Sequence, residues 1–394
     1  LAIGGDGAAA LDGALRITAA GGYTPAEGQV LRPLLSYVSR TGGFSRVELP
    51  PGSTLTASAD YGTTQLSVTL LAAGCAADVC WIAGSGDWGV ASNWSTGAVP
   101  SAAQSVRVSV AGDQLITVGG GTHSIGSIVM DEALRVAAGS ITIGGAAAFN
   151  APVTVDGGTL IANGDSTFSS LAVNGGALTI GDARVTGPVT YQGGTLNIAT
   201  GRTLTLGSTA SLNVADRSIG GGGTLANEGT LVLDGATITG SLVNRGIASV
   251  TGGTTVVTGT GSRIDHDGGS LTIDDGAVLE KDTGVVAWNG GALGGTGALT
   301  RTSGATLELG DGDKTLDGLA LTLDSLDVRG RLNLSRGALT VAGDTRIQSG
   351  STLELSGGSF DPGGALDNDG ILALRSGSLD LENDGTHTGT FDLS

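Results

Sequence analysis

From about residue 106 onward, apolar and small polar residues alternate along the chain in runs of four to six. Period-two alternation places Leu, Ile and Val on one face of a strand and Thr, Ser or Asp on the other. Clusters such as Asp156-Gly157-Gly158, Asn174-Gly175-Gly176 and Asn368-Asp369-Gly370 separate the runs. Asn, Asp and Gly tolerate the positive φ of tight turns. The motif Gly-Gly-x-Leu recurs at 157–160, 175–178 and 193–196, with a step of 18 both times. Pairs of the form Leu-x-Leu or Leu-x-Ile recur at Leu204/Leu206, Leu231/Leu233, Leu271/Ile273, Leu307/Leu309, Leu332/Leu334, Leu353/Leu355 and Leu372/Leu374.

A short strand with one apolar face is not stable alone. Hairpins around a common core solve the problem in a sandwich. In a solenoid, stacked coils align their inward side chains in ladders. A spacing of about 18–21 residues, kept over nearly 300 residues, favours the solenoid. The chain is therefore expected to be all-β, a right-handed parallel β-helix of about 14 coils. Asn227, Asn244 and Asn368 fall at matching turns. Either they form amide ladders along the stack or they simply suit the turns.

Composition narrows the reading. Of 394 residues 72 are glycine, 3% are aromatic and 14% are charged. Glycine at this level disfavours helices and lacks the strict period of collagen. Low charge and ample aliphatic content disfavour disorder. The net charge of −18 opposes binding to phosphate backbones and anionic lipids. The most apolar window, 66–82, is interrupted by Asp78 and glycine, and no membrane insertion is expected. Cys75 and Cys80 are too few for a zinc site, and the histidines are distant in sequence. A local disulfide, and with it an oxidising compartment, is the better reading.

No segment carries a clear catalytic, cofactor or metal signature. Residues 84–89 spell Gly-x-Gly-x-x-Gly, but no helix-forming pattern follows. Lys281 and Lys314 are the only lysines, and neither belongs to a phosphate-binding loop. Asp311, Asp313 and Asp317 match neither common calcium-loop spacing. Asp265, His266 and Asp267 read as an exposed turn. The carboxylates are scattered, and the coils offer few aromatic faces for a sugar-processing groove. The one aromatic concentration is Trp81, Trp88 and Trp94. These residues read as a structural cap over the first coil or, alternatively, as a glycan platform.

The composition also shifts along the chain. Residues 1–72 are richer in proline, 73–105 hold the cysteines and tryptophans, and 106–394 hold the regular coils. The segment from Tyr23 to Phe44, with its Gly-Tyr-Thr-Pro opening, is followed by Trp81, Trp88, Asn93, Trp94, Gly97 and Pro100. Together with the coil repeat, including Gly385-Thr386-His387-Thr388-Gly389, this order resembles filamentous-haemagglutinin-like exoproteins and autotransporter passengers. The Arg32-Pro33 dipeptide departs from the uninterrupted strand usual in such proteins. The resemblance implies that 1–72 closes one β-helical unit, 73–105 is a junction or cap, and 106–394 is the body of the next. It further implies one window on a longer polypeptide of repeated units, at the bacterial surface or outside the cell. The expected role is a non-enzymatic adhesin-type rod giving reach and display, needing no cofactor. Its partners would be neighbouring units, copies of itself, or a host or cell-surface glycan or protein. A self-assembling filament or biofilm-matrix protein is the main alternative. A polysaccharide lyase or hydrolase is the lesser one.

Overall fold

The computed structural model describes residues 7–18, 29–44, 46–49, 55–72, 77–110, 112–302, 305–381 and 383–394. The chain is nearly all β, with 60% of its residues in strands, and folds as a parallel β-solenoid of about 15 turns. Its residues fall into two compact units, 1–164 and 165–394.

The first unit opens on short strands. Ala8–Leu11 pairs in parallel with Ser39–Gly42, and Ala14–Arg16 with Arg46–Glu48. Val30–Ser36, Gln65–Ala72 and Leu55–Tyr61 form a small antiparallel sheet with Gln65–Ala72 in the middle. The apolar window around residue 66 is thus a central strand, and no described helix is long and apolar enough to cross a membrane. Pairing in Val30–Ser36 slips between Leu31 and Leu35. That stretch contains Pro33, which has no N–H to give to a ladder. Ala9, Leu35, Tyr37 and Leu66 form a local core.

Three-faced coils follow. Ser105–Val108, Leu115–Val118 and Thr122–Ile125 make one, and Ser127–Met130, Ala133–Val136 and Ser140–Ile143 stack on it in register. Burial alternates along each strand, as in Ser127–Met130, where Ile128 and Met130 point inward. Parallel stacking of coils fixes this register, because a one-residue slip would turn every inward side chain outward.

In the second unit the coils are again three-faced as far as Ala298–Arg301. Leu178 stands on Leu196 and Leu204 on Leu225. The coils are less uniform than the sequence spacing suggests. Leu225 stands on Leu242 (242 − 225 = 17), whereas Leu293 stands on Leu316 (316 − 293 = 23). Most of the difference falls in the corners between strands. Corners are where glycine is obligatory. A side chain on Gly194 (φ +70°) or Gly295 (φ +99°) would collide with a backbone carbonyl of the preceding coil.

Beyond residue 301 the cross-section changes. The second and third faces merge into single long strands, Lys314–Leu323, Arg331–Val341, Thr352–Pro362 and Ile371–Leu379. The third sheet ends at Ala298–Arg301 and the first at Ala305–Leu309; a new three-stranded sheet begins at Leu326–Val328. Leu332, Leu353 and Leu372 stack in one inward column, and Leu334, Leu355 and Leu374 in the next. Leu332, Leu334, Leu353, Leu355 and Leu372 are 0–1% exposed, and Leu374 is half-buried.

Candidate functional site

The tryptophans lie in a partial coil at the start of the first unit's regular stack. Val79–Cys80 pairs with Val106 and Arg107, and Gly86–Asp87 pairs with Ile116 and Thr117. The segment therefore covers one edge of the first and second sheets. Trp81, Trp88 and Trp94 are 2%, 0% and 1% exposed, so no ring face meets solvent. Trp94 packs edge-on against both others, with centroids at 4.9 and 4.6 Å. Such pairs add about 0.5–1.5 kcal/mol beyond the buried area. The indole N–H of Trp81 donates to Gly84 O (2.8 Å) and that of Trp94 to Trp88 O (2.8 Å). The buried Trp88 Nε1 has no partner among the described residues. Cys80 is disulfide-bonded; Cys75 lies outside the described residues. The Gly-x-Gly-x-x-Gly at 84–89 is spent on this cap, with Gly86 in a strand and Trp88 in the core.

A second feature lies inside the solenoid. Inward positions at the end of the first face carry Asn227, Asn244 and His266, each on the next, and all are 0–2% exposed. Asn227 Nδ2 donates to Asn244 Oδ1 (2.8 Å) and to Ile247 O (3.0 Å). Asn244 Nδ2 donates to Ser270 O (2.9 Å) and to His266 Nδ1 (3.2 Å). His266 Nε2 donates to Ala292 O (2.9 Å). A carbonyl only accepts, so the imidazole is the Nε2–H tautomer with Nδ1 as acceptor. Each side chain thus ties its corner to the next coil. Asn368 makes the same tie to Thr390 O (3.1 Å). The Asn or His stands two residues before a glycine in all four cases. Asn227 and Asn368 accept from that glycine's N–H. The amides therefore do form axial ties, and a histidine that the sequence alone did not assign to the set extends them.

His266 and its flanking carboxylates do not form an acid–base group. The strand Arg263–His266 points His266 inward. Asp265 pairs with Arg263 (3.0 Å), and Asp267 with Arg245 (2.7 Å). Burial pushes His266 below its ordinary value, only partly opposed by its bonds to Ala292 and Asn244 and by Asp267. Its folded pKa is therefore below the unfolded value of about 6.5. Stability is full above that value and is lost as pH falls from it toward the folded pKa, because the unfolded chain takes up the proton first. Urea titrations at pH 7.5 and 5.0 are expected to show a lower midpoint at pH 5.0. His266→Asn, which keeps an amide in the ladder, should show a smaller drop. An equal drop in both proteins would remove His266 as its source.

The two lysines are also internal. Lys281 is 0% and Lys314 is 2% exposed, and burial lowers the pKa of both. Lys281 Nζ donates to Val257 O (3.0 Å) and Ser262 Oγ (2.7 Å), with Asp282 Oδ1 at 3.5 Å. Lys314 Nζ donates to Gly310 O and Gly312 O, with Arg329 O at 3.5 Å. Both strands keep their rungs on either side of the lysine, and the buried ammonium groups are satisfied by carbonyl and hydroxyl oxygens at the corners. The Asp311–Asp317 cluster is organised by the same contacts. Lys314 Nζ occupies the loop carbonyls, and Asp317 binds Arg336 through both oxygens (2.6 and 2.8 Å). Arg336 and Ser335 hold Asp317 down at about 2. Among the described residues, no three His, Cys, Asp or Glu side chains are placed to hold a metal.

Outside the core, charge is arranged in pairs. Thirteen arginines lie from Arg107 onward. Eleven have a carboxylate within 3.0 Å. Nine of these pairs join different coils, such as Arg107–Asp131 (2.9 Å) and Arg346–Asp369 (3.0 Å). Each exposed pair contributes little alone. No family model, no curated protein and no solved structure matches the chain.

Proposed function

We propose that the solenoid is a non-enzymatic extracellular scaffold of a large bacterial surface or secreted adhesin-type protein, giving reach and display. The observation that carries this reading is where the polar side chains are used. Arginines, aspartates and the buried amides mostly tie one coil to the next, and few converge on a shared cleft. That investment suits a stacked element whose task is mechanical continuity. The buried tryptophans fit the cap reading, since an exposed solenoid edge invites strand addition. The disulfide at Cys80 fits an oxidising compartment.

A filament or biofilm-matrix role uses the same architecture and differs only in whether the units polymerise. Negative-stain electron microscopy of the pure protein separates the two. Dispersed particles support display; ordered fibres that lengthen with concentration support the filament and overturn the first reading. Incubation with acidic polysaccharides tests the enzymatic alternative, because release of new reducing ends would overturn the non-enzymatic assignment.

A further inference from the structure

Two of the thirteen coil arginines, Arg217 and Arg301, have no carboxylate partner among the described residues. Each lines a hollow beside an interrupted ladder. The Arg301 hollow includes Asp324, a carboxylate that opposes anions. The Arg217 hollow, of about 390 Å³, has no acidic lining; Thr190, Gln192, Asn213 and Arg217 supply its polar groups.

The hollow has a structural cause. Tyr191 takes an inward position directly on Val173. Its hydroxyl reaches one coil ahead and donates to Ser218 O (2.9 Å), with Gly194 O at 3.3 Å. A phenol ring at a valine position holds the next strand away. Pro188 and Val189 pair with Ser211 and Leu212, but the rungs that would join Thr190 and Tyr191 to Asn213 and Val214 are missing. On its other side Ser211–Ala215 keeps all five rungs. At the next corner stands Asp216, the one described non-glycine residue in the left-handed region (φ +51°). Arg217 follows it, its guanidinium 5.7 Å from the Tyr191 ring centroid.

We propose that this hollow binds a carboxylate-bearing sugar of the uronic acid type. The guanidinium recognises the carboxylate through charge-assisted, bidentate geometry. The Gln192 and Asn213 amides and the Thr190 hydroxyl supply neutral donors and acceptors for ring hydroxyls. Among the described residues, neither amide side chain is engaged by another group. A wholly inorganic oxyanion would use Arg217 and leave these amides idle. The site does not depend on whether the solenoid displays or polymerises.

Titration of the whole chain with D-glucuronate, D-glucose and sodium sulfate, followed by NMR or calorimetry, tests it. Glucuronate is expected to bind with a Kd on the order of 1 mM, as suits a ligand of this size. Glucose and sulfate should each bind at least about 10-fold more weakly. Arg217→Gln should weaken glucuronate by about 10–100-fold, and Asn213→Ala by about 3–10-fold. Arg301→Gln, in the other hollow, should leave binding unchanged. Circular dichroism establishes that each variant is folded. Absence of saturable glucuronate binding, equal binding of glucose or sulfate, or full affinity in Arg217→Gln would each overturn the assignment.

Discussion

Trp88→Ala is expected to destabilise the first unit by about 3–5 kcal/mol, the range for deleting a large buried aromatic. The indole is 0% exposed and packs on Trp94 at 4.6 Å. Its removal opens a cavity under the segment that covers the sheet edges at Ser105–Val108 and Leu115–Val118. One gain offsets part of the loss, since the variant no longer buries an unpartnered indole N–H. Trp88→Phe separates the terms, because it keeps most of the ring contact and also discards the N–H, and it should cost well under half as much. Hydrogen exchange should rise first in the strands the cap covers. Denaturant midpoints of Trp88→Ala and the parent that coincide would rule out a capping role. Loss of glycan or cell binding without loss of stability would instead favour a platform.

Asn244→Leu should be comparably damaging, by about 3–6 kcal/mol, although the shape is nearly conserved. The amide contacts Asn227, His266 and the carbonyl of Ser270 at once. Leucine leaves a buried carbonyl and a buried imidazole nitrogen without a donor, and each such group costs about 1–3 kcal/mol. Fluorescence of Trp288, whose strand Gly284–Trp288 pairs with the strand carrying His266, offers a local readout during unfolding. A variant within about 0.5 kcal/mol of the parent would show that the ladder follows the fold without supporting it.

The coils were legible because their determinants are local. Leu-x-Leu pairs and Asn, Asp and Gly corners report strand and turn within a few residues, and the observed inward columns use those same leucines. Other features depend on residues a full coil apart and leave weaker traces. Nothing local distinguishes His266 from an exposed histidine in an acidic turn. Its inward direction follows from the phase of Arg263–His266, which alternates with Ile264. The loss of one face after Ala298–Arg301 was also hidden, since Lys314–Leu323 reads as two short runs around Asp317-Gly318. The hollow beside Arg217 arises from a tyrosine where neighbouring coils place valine, and its effect appears only on stacking.

The burial of both lysines has a chemical consequence for the whole chain. Every other fixed cation on a side chain is a guanidinium. The folded coils therefore present no side-chain amine to acylating reagents, to aldehydes, to reducing sugars or to enzymes that build isopeptide bonds. Reaction at Lys281 or Lys314 requires the stack to open around Val278–Lys281 or Lys314–Leu323, so tagging of side-chain amines would report local opening of the solenoid and leave the side chains of the closed form unmarked.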